Sequence, residues 1–299
     1  MKVVVAIDSF KGSLSSLEAG EAAAVGVRRA IPDADCVVRP LADGGEGTVD
    51  ALVGGMGGEF REVRVTGPAG RPVVARYGLL PGGTAVMEMA QAAGITLVSD
   101  EERNPCTTTT FGVGEMVLDA VAHGATRIVM GIGGSATNDA GAGMLQALGF
   151  RLLGADGADL PRGGAALAGL SRIVRPELPP LSFRIACDVA NPLCGPNGAS
   201  AVFGPQKGAT PGMVAELDAA LAHFASMAGG EPDSPGAGAA GGLGYAFSAF
   251  LGAELVPGVE LVLQETRLSD DLRGADVVVT GEGRLDGQTV MGKAPIGVA

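Results

Sequence analysis

Lysine is scarce in this chain of 299 residues: 21 residues are basic, but only Lys2, Lys11, Lys207 and Lys293 are lysine and the rest are arginine. Histidine is scarcer still, with two. His123 and His223 both fall in helical patterns, so a helix-surface or helix-end place is expected for each. A Ser-His-Asp or Cys-His nucleophile then lacks its base. Cys36, Cys106, Cys187 and Cys194 contain no Cys-x-x-Cys pair, which argues against structural zinc and against a disulfide framework. No apolar run has the length of a membrane span, and the opening run Val3 to Ile7 meets Asp8 before a signal-peptide core can develop. A cytoplasmic protein without a membrane partner is expected. The chain also lacks the basic surplus that nucleic-acid binding needs, its net charge being −12. Carboxylates, lysine, arginine and backbone amides are left to carry the chemistry.

What is present is apolar residue in quantity, 46% of the chain, enough for more than one core. Three of the four lysines stand in short glycine-bearing segments, Phe10-Lys11-Gly12, Gln206-Lys207-Gly208 and Gly292-Lys293-Ala294. Where arginine supplies most positive charge, lysine suits places that need a compact ammonium beside a closely approaching backbone. Acids and small residues accompany the glycines in Asp8 to Ser13, Gly204 to Gly208 and Gly281 to Thr289. The same grammar recurs without lysine in Ala42 to Thr48 and in Gly131 to Asp139. Glycines that turn N–H groups outward between a strand and a helix make an anion site suited to phosphate. Carboxylates in such loops suit Mg²⁺, which binds through one or two acids and the phosphate oxygens of its ligand. A small anion would be met by such a local cationic cluster despite the negative charge of the whole.

Hydrophobic periodicity predicts repeated βα units. Lys2 to Ile7 reads as a strand, Leu14 to Ile31 as a helix, Cys36 to Leu41 as a strand and Thr48 to Val53 as a short helix. Phe60 to Met89 reads as three short strands in an antiparallel meander. A helix over Gly112 to His123 leads to the buried strand Thr126 to Met130, followed by a glycine turn and a helix through Leu148. Phe183 to Asp188 and Ala275 to Thr280 read as further parallel strands. Functional groups would then gather at the carboxyl ends of parallel strands. Gly229 to Gly244 reads as a linker, with a mobile loop over a cleft as the alternative. Ala294 to Ala299 resembles the first turn of an unfinished helix, which suggests a fragment.

Several motifs stand in one order: Asp8-Ser9-Phe10-Lys11-Gly12-Ser13, Ala42-Asp43-Gly44-Gly45-Glu46-Gly47, Glu88-Met89-Ala90-Gln91-Ala92, Arg103-Asn104-Pro105, Gly133-Gly134-Ser135-Ala136-Thr137-Asn138-Asp139, Cys187-Asp188-Val189, Gln206-Lys207-Gly208 and Gly281-Glu282-Gly283-Arg284-Leu285-Asp286. In this order the chain resembles the type I glycerate kinases of bacteria over essentially its whole length. The resemblance implies an α/β fold of two lobes. One is a discontinuous flavodoxin-like or Rossmann-like parallel sheet, placed at 1–65 plus 275–299. The other, at 66–274, is a mixed α/β lobe with the antiparallel meander. It implies ATP-dependent phosphorylation of D-glycerate with Mg²⁺, 2-phosphoglycerate being the usual product. It also implies that family members continue past Lys293 with a completed helix and a further strand. Ala140 stands where glycine is common in the family.

On that resemblance and on the needs of phosphoryl transfer, Lys11 and Lys207 are assigned to phosphate charge, Arg284 to the glycerate carboxylate and Asp188 to the attacking hydroxyl. Asp43, Glu46 and Glu282 are the metal candidates. Ser9, Gly44, Gly45, Gly133, Gly134, Ser135, Thr137, Asn138, Asp139, Gly281, Gly283 and Lys293 are the expected nucleotide-binding set. Asp43 and Asp139 also suit helix caps, and Ser135, Thr137 and Asn138 suit turn stabilisation. Two alternatives stay open at this point. A Schiff-base lyase needs a lysine buried among apolar residues, whereas these lysines lie in polar glycine loops. The other is a chain that binds nucleotide or organic acid without turnover.

Overall fold

A computed structural model describes residues 1–10, 12–284 and 294–299. Elements are numbered along the chain. In strand β1 (Lys2–Ile7), Val3, Val5 and Ile7 pack on one face and Val4 and Ala6 on the other. Alternation with apolar residues on both faces marks a strand covered on both sides. It pairs in parallel with β2 (Asp35–Val38) and, on its other edge, with a strand from the far end of the chain, β11 (Val277–Gly281). The parallel sheet is therefore discontinuous in sequence, as expected.

The second sheet takes β3 (Glu59–Thr66), β4 (Pro72–Leu80), β5 (Thr84–Glu88), β6 (Arg127–Gly131), β9 (Ser182–Ala186) and β10 (Glu254–Val256), in the order β10-β9-β6-β5-β4-β3. The expected meander is present, with β3 to β5 antiparallel, while β5, β6, β9 and β10 run parallel. One correction concerns the lobe boundary near 65. All of β3 pairs with β4, from Glu59 opposite Leu79 to Thr66 opposite Pro72, so it belongs to the larger sheet. Strands β7 (Arg151–Leu153) and β8 (Arg172–Val174) form a separate hairpin.

Helix α1 (Ser16–Ala30) covers the Val3, Val5 and Ile7 face. It starts at a capping box, in which Glu18 N donates to Ser15 Oγ at 3.2 Å and Ser15 N to Glu18 Oε2 at 2.9 Å. Helix α2 (Thr48–Met56) packs between the two sheets. Beyond the large sheet lie α3 (Ala90–Ala93), α4 (Phe111–Ala122), α5 (Ala142–Ala147), α6 (Ala199–Phe203), α7 (Pro211–Ala228) and α8 (Ala239–Leu251). Helix α9 (Gly258–Glu265) joins α2 in the middle layer, followed by α10 (Leu268–Leu272) and α11 (Ala294–Val298). Buried Glu265 fixes α9 on the sheet by accepting from Arg127 at 2.8 Å and Arg184 at 2.9 Å. In β5, Ala85 and Met87 face the outer helices and Val86 the middle layer, and β6 divides Ile128 and Met130 from Val129 in the same way. Among the described residues no helix is long and apolar enough to cross a membrane.

The glycine-rich stretch 229–244 is the second correction, since its later half is core and not linker. Ala237, Ala239 and Leu243 are at most 3% exposed. The backbone turns left-handed at Ala240, Gly241 and Gly242, with φ of 52°, 70° and 91°. A Cβ on Gly241 would lie 2.0 Å from Thr137 O. Glycine here serves close backbone packing, which composition does not distinguish from flexibility.

Candidate active site

The parallel register aligns the strand ends, with Glu88 opposite Gly131 and Gly131 opposite Ala186. Glu88, the Gly133–Ser135 turn and Asp188 therefore leave the sheet side by side at its carboxyl edge, where open α/β sheets hold ligands. The 42–47 loop of the smaller sheet crosses this edge. A Cβ on Gly131 would lie 2.3 Å from Gly44 O, and a Cβ on Gly258 would lie 2.1 Å from Asp43 O. Gly44 itself has φ +86°, so this junction requires glycine for both space and conformation.

A cavity of about 370 Å³ opens here, walled in part by Gly44, Gly133, Gly134, Ser135, Asp188 and Lys207. A second hollow of about 320 Å³ shares the glycines and adds Glu46, Glu88 and Gln91. A third, of about 340 Å³, brings Glu46 beside Ser9. The N–H groups of Gly133, Gly134 and Ser135 form no hydrogen bond among the described residues, which leaves a run of donors at the cavity wall.

Lys207 is 2% exposed, and its Nζ donates to Ser135 Oγ and Thr137 O, each at 2.7 Å. Burial lowers its pKa from the usual lysine value to about 7, with Asp139 pulling the other way. This corrects the expectation of a lysine in an open polar loop, though the compact ammonium against a backbone carbonyl is as anticipated. The neighbouring Gly208 backbone sits against Arg103, which helps explain the enclosure.

Asp188 keeps solvent contact at the rim. Its Oδ1 accepts from Gly258 N, the first residue of α9, at 2.8 Å. Partial desolvation pushes its carboxyl above the usual range, and nearby Asp43 adds to the rise. Asp43 also accepts from Gly45 N at 3.2 Å, bracing its own loop.

The Thr137–Asp139 stretch lies behind the cavity and not in its wall, all three residues being 0% exposed. Asp139 accepts from Thr110 N at 2.8 Å, Thr110 Oγ1, Gly141 N at 3.1 Å and Gly143 N at 3.2 Å. Those bonds occupy its carboxylate in holding the start of α5, the capping use that its sequence position also suits. Asn138 Nδ2 donates to Ser200 Oγ at 2.8 Å, and Thr137 serves Lys207 through its carbonyl.

At the smaller sheet Asp8 N donates to Gly281 O at 2.9 Å, so the first and last motifs meet across β1 and β11. Glu282 is buried there and Arg284 exposed; with Gly281 and Gly283 they line none of the three hollows. Lys11 and Lys293 lie outside the described residues. Among the described residues no group of three or more His, Cys, Asp or Glu side chains is placed to hold a metal, so Asp43, Glu46 and Glu282 do not form a cage. Both histidines are structural: His123 Nδ1 lies 2.7 Å from Asp119 O and His223 Nε2 2.7 Å from Leu170 O.

Sequence reasoning assigned no role to Glu88. Its Oε1 accepts from Gly47 N at 3.0 Å and Val49 N at 3.2 Å at the start of α2, tying the 42–47 loop to the large sheet. Burial raises its carboxyl, against the pull of those two bonds. The available signal was an acid closing an apolar strand run, a pattern that Asp188 also shows.

Comparison with known proteins extends the likeness to the whole chain. The profile of the Glycerate kinase family matches residues 3–299. Glycerate kinase of Halalkalibacterium halodurans is 52% identical, over 99% of this chain and 81% of that one. Glycerate 2-kinase of Escherichia coli is 50% identical, over 100% of this chain and 81% of that one. A crystal structure of a Salmonella typhimurium LT2 protein assigned to glycerate kinase 2 superposes with a TM-score of 0.95 at 49% identity, covering 100% of this chain and 82% of its own.

Proposed function

The chain belongs to the glycerate kinase family, and on that premise we propose that it transfers the terminal phosphoryl group of ATP to D-glycerate in the cytoplasm, the 2-hydroxyl being the favoured acceptor. The observation that carries this reading is the carboxyl-edge cavity, which unites turn amides that have no partner among the described residues, a buried lysine and an aspartate of raised pKa. Phosphoryl transfer needs positioning and charge stabilisation more than covalent work by the protein.

The Gly133–Ser135 amides face the requirement for phosphate oxygens, and the Lys207 ammonium adds positive charge to that wall. Asp188 is the residue assigned to the attacking hydroxyl. An elevated carboxylate pKa brings proton acceptance closer to neutral pH, as general-base work requires. Gly258 N fixes the orientation of the Asp188 carboxylate. Glu88 keeps the loop that carries Asp43 and Glu46 in place.

The donor set fits a Mg²⁺ that arrives with nucleotide. Asp43 stands close enough to Asp188 to raise its pKa, and Mg²⁺ commonly takes one or two carboxylates while phosphates and water complete its shell. Asp43 would hold it, with Glu46 and Glu282 as the further candidates, and the ion would neutralise charge on the transferring phosphate. Arg284, Lys11 and Lys293 keep their assigned roles as part of the proposal.

The burial of Lys207 is the one feature that a Schiff-base lyase would share. Its Nζ is already engaged by two oxygens of the chain, and the curated relatives described above are kinases. Phosphorus NMR of the protein with ATP, Mg²⁺ and D-glycerate tests the proposal. Formation of 2-phosphoglycerate and ADP, lost with excess chelator, is expected; ATP left intact with D-glycerate present would refute it.

A further inference from the structure

Phosphoryl transfer makes use of the Lys207 charge and the turn amides but leaves the Ser135 hydroxyl without a task. Ser135 is 7% exposed, lines the cavity of about 370 Å³ and has its Oγ 2.7 Å from Lys207 Nζ. Lys207 is itself anchored by Thr137 O at 2.7 Å. A nucleophile within hydrogen-bond reach of a base, with the base oriented by a third group, is the arrangement that activates serine in hydrolases without histidine.

The geometry points to Ser135 and Lys207 as a nucleophile pair, a second reactive centre in this cavity that attacks the carbonyl of short-chain carboxylic esters. Four observations converge on it. Lys207 is desolvated, and a pKa near 7 leaves a substantial neutral fraction able to take a proton at neutral pH. The N–H groups of Gly133, Gly134 and Ser135, which form no hydrogen bond among the described residues, supply donors for an oxyanion. Ile95, Ile132, Phe203 and Ala239 give the cavity an apolar wall for a short acyl chain. Cys187 lines the same cavity, but burial and Asp188 push its thiol up and its Sγ bonds to Val189 O at 3.4 Å, so it is no rival.

In the reaction Ser135 Oγ forms a bond to the ester carbonyl carbon while its proton passes to neutral Lys207 Nζ. The C–O bond to the alcohol breaks, and Lys207 returns the proton to that leaving group. Water, deprotonated by Lys207, then attacks the acyl-serine, releasing the acid and restoring both side chains. ATP and glycerate take no part, so failure here leaves the kinase reading standing, and the reverse holds.

The test exposes the full chain to a short-chain alkyl fluorophosphonate without ATP or glycerate and locates the adduct by peptide mass spectrometry. Fluoride leaves phosphorus as Ser135 Oγ attaches. An adduct on Ser135 is expected, together with hydrolysis of p-nitrophenyl acetate that Ser135→Ala abolishes. Lys207→Met is expected to slow labelling on the order of 10² or more, the scale of losing a general base. No adduct, adducts at other residues alone, or labelling of Lys207→Met at the wild-type rate would overturn the pair. If Lys207→Met does not fold, the wild-type labelling rate is followed from about pH 6 to about pH 9, where it must rise as a base deprotonates. The charged group acting on Lys207 is Asp139, buried throughout. A flat profile overturns the pair equally.

Discussion

Lys207 occupies a place that is costly for a cation, since a buried ammonium loses its hydration and recovers only part of it through hydrogen bonds. Above pH 7 the folded protein carries Lys207 increasingly neutral, its pKa being lowered by burial to about 7 from the ordinary lysine value, while the unfolded chain stays protonated. The unfolded state then binds more protons, so the residue's contribution to stability improves as pH rises from about 7, by at most about 1.4 kcal/mol per unit, and is least favourable below that. Urea unfolding of wild type and Lys207→Met at two pH values in this window should show the difference moving toward wild type at the higher one. A constant difference would contradict the burial argument. For turnover, Lys207→Met should cost on the order of 10² to 10³ in rate, the scale of losing one transition-state donor. Lys207→Arg should not rescue it, because a planar fork cannot occupy an ammonium site closed by Ser135 and Thr137; steady-state rates of both variants decide this. The scarcity of lysine made Lys207 legible as a functional candidate, but its burial was not. Asp139 shows the opposite limit, since its place in a motif is visible in sequence while the four groups that occupy its carboxylate are contributed by Thr110, Gly141 and Gly143.

At the scale of elements, α2 is held at its start by a carboxylate from another strand. Glu88→Ala removes the acceptor for Gly47 N and Val49 N and should destabilise by about 0.5–2 kcal/mol, the range for a lost helix cap. Glu88→Gln keeps an acceptor oxygen and should lose less; denaturant titration that ranked Gln below Ala would contradict the capping role. A second case is α8. Gly241→Ala combines a left-handed φ, worth about 1–2 kcal/mol, with overpacking against Thr137 O, worth about 1–3 kcal/mol, for an expected loss of about 2–5 kcal/mol by urea unfolding. Wild-type stability of that variant would restore the linker reading. Periodicity was enough to place β1, α1, α4 and β6 within a few residues, because each alternates or repeats against a core. It failed for 229–244, where glycine content has two opposite physical meanings. The meander reading of 60–89 already joined β3 to β4, and it is the lobe boundary near 65 that cut across that pairing.

For the whole molecule, the decisive feature is that two sheets share the α2 and α9 layer, so loops from both converge on one edge. Motifs far apart in sequence meet for this reason: the Asp43 loop follows β2, Asp188 follows β9, and Gly258 opens α9 between them. Order and spacing of motifs were readable from the chain, whereas their meeting depends on strand register and on close backbone approach at Gly44, Gly131 and Gly258. The central claim is that glycerate is phosphorylated in this cavity with Asp188 at the attacking hydroxyl. The most direct test measures glycerate-dependent ADP release and ATP affinity for wild type and Asp188→Asn side by side. The asparagine variant should lose about 10²- to 10⁴-fold in kcat, the range for removing a general base, with ATP affinity largely kept. Turnover at the wild-type rate in that variant would contradict the assignment.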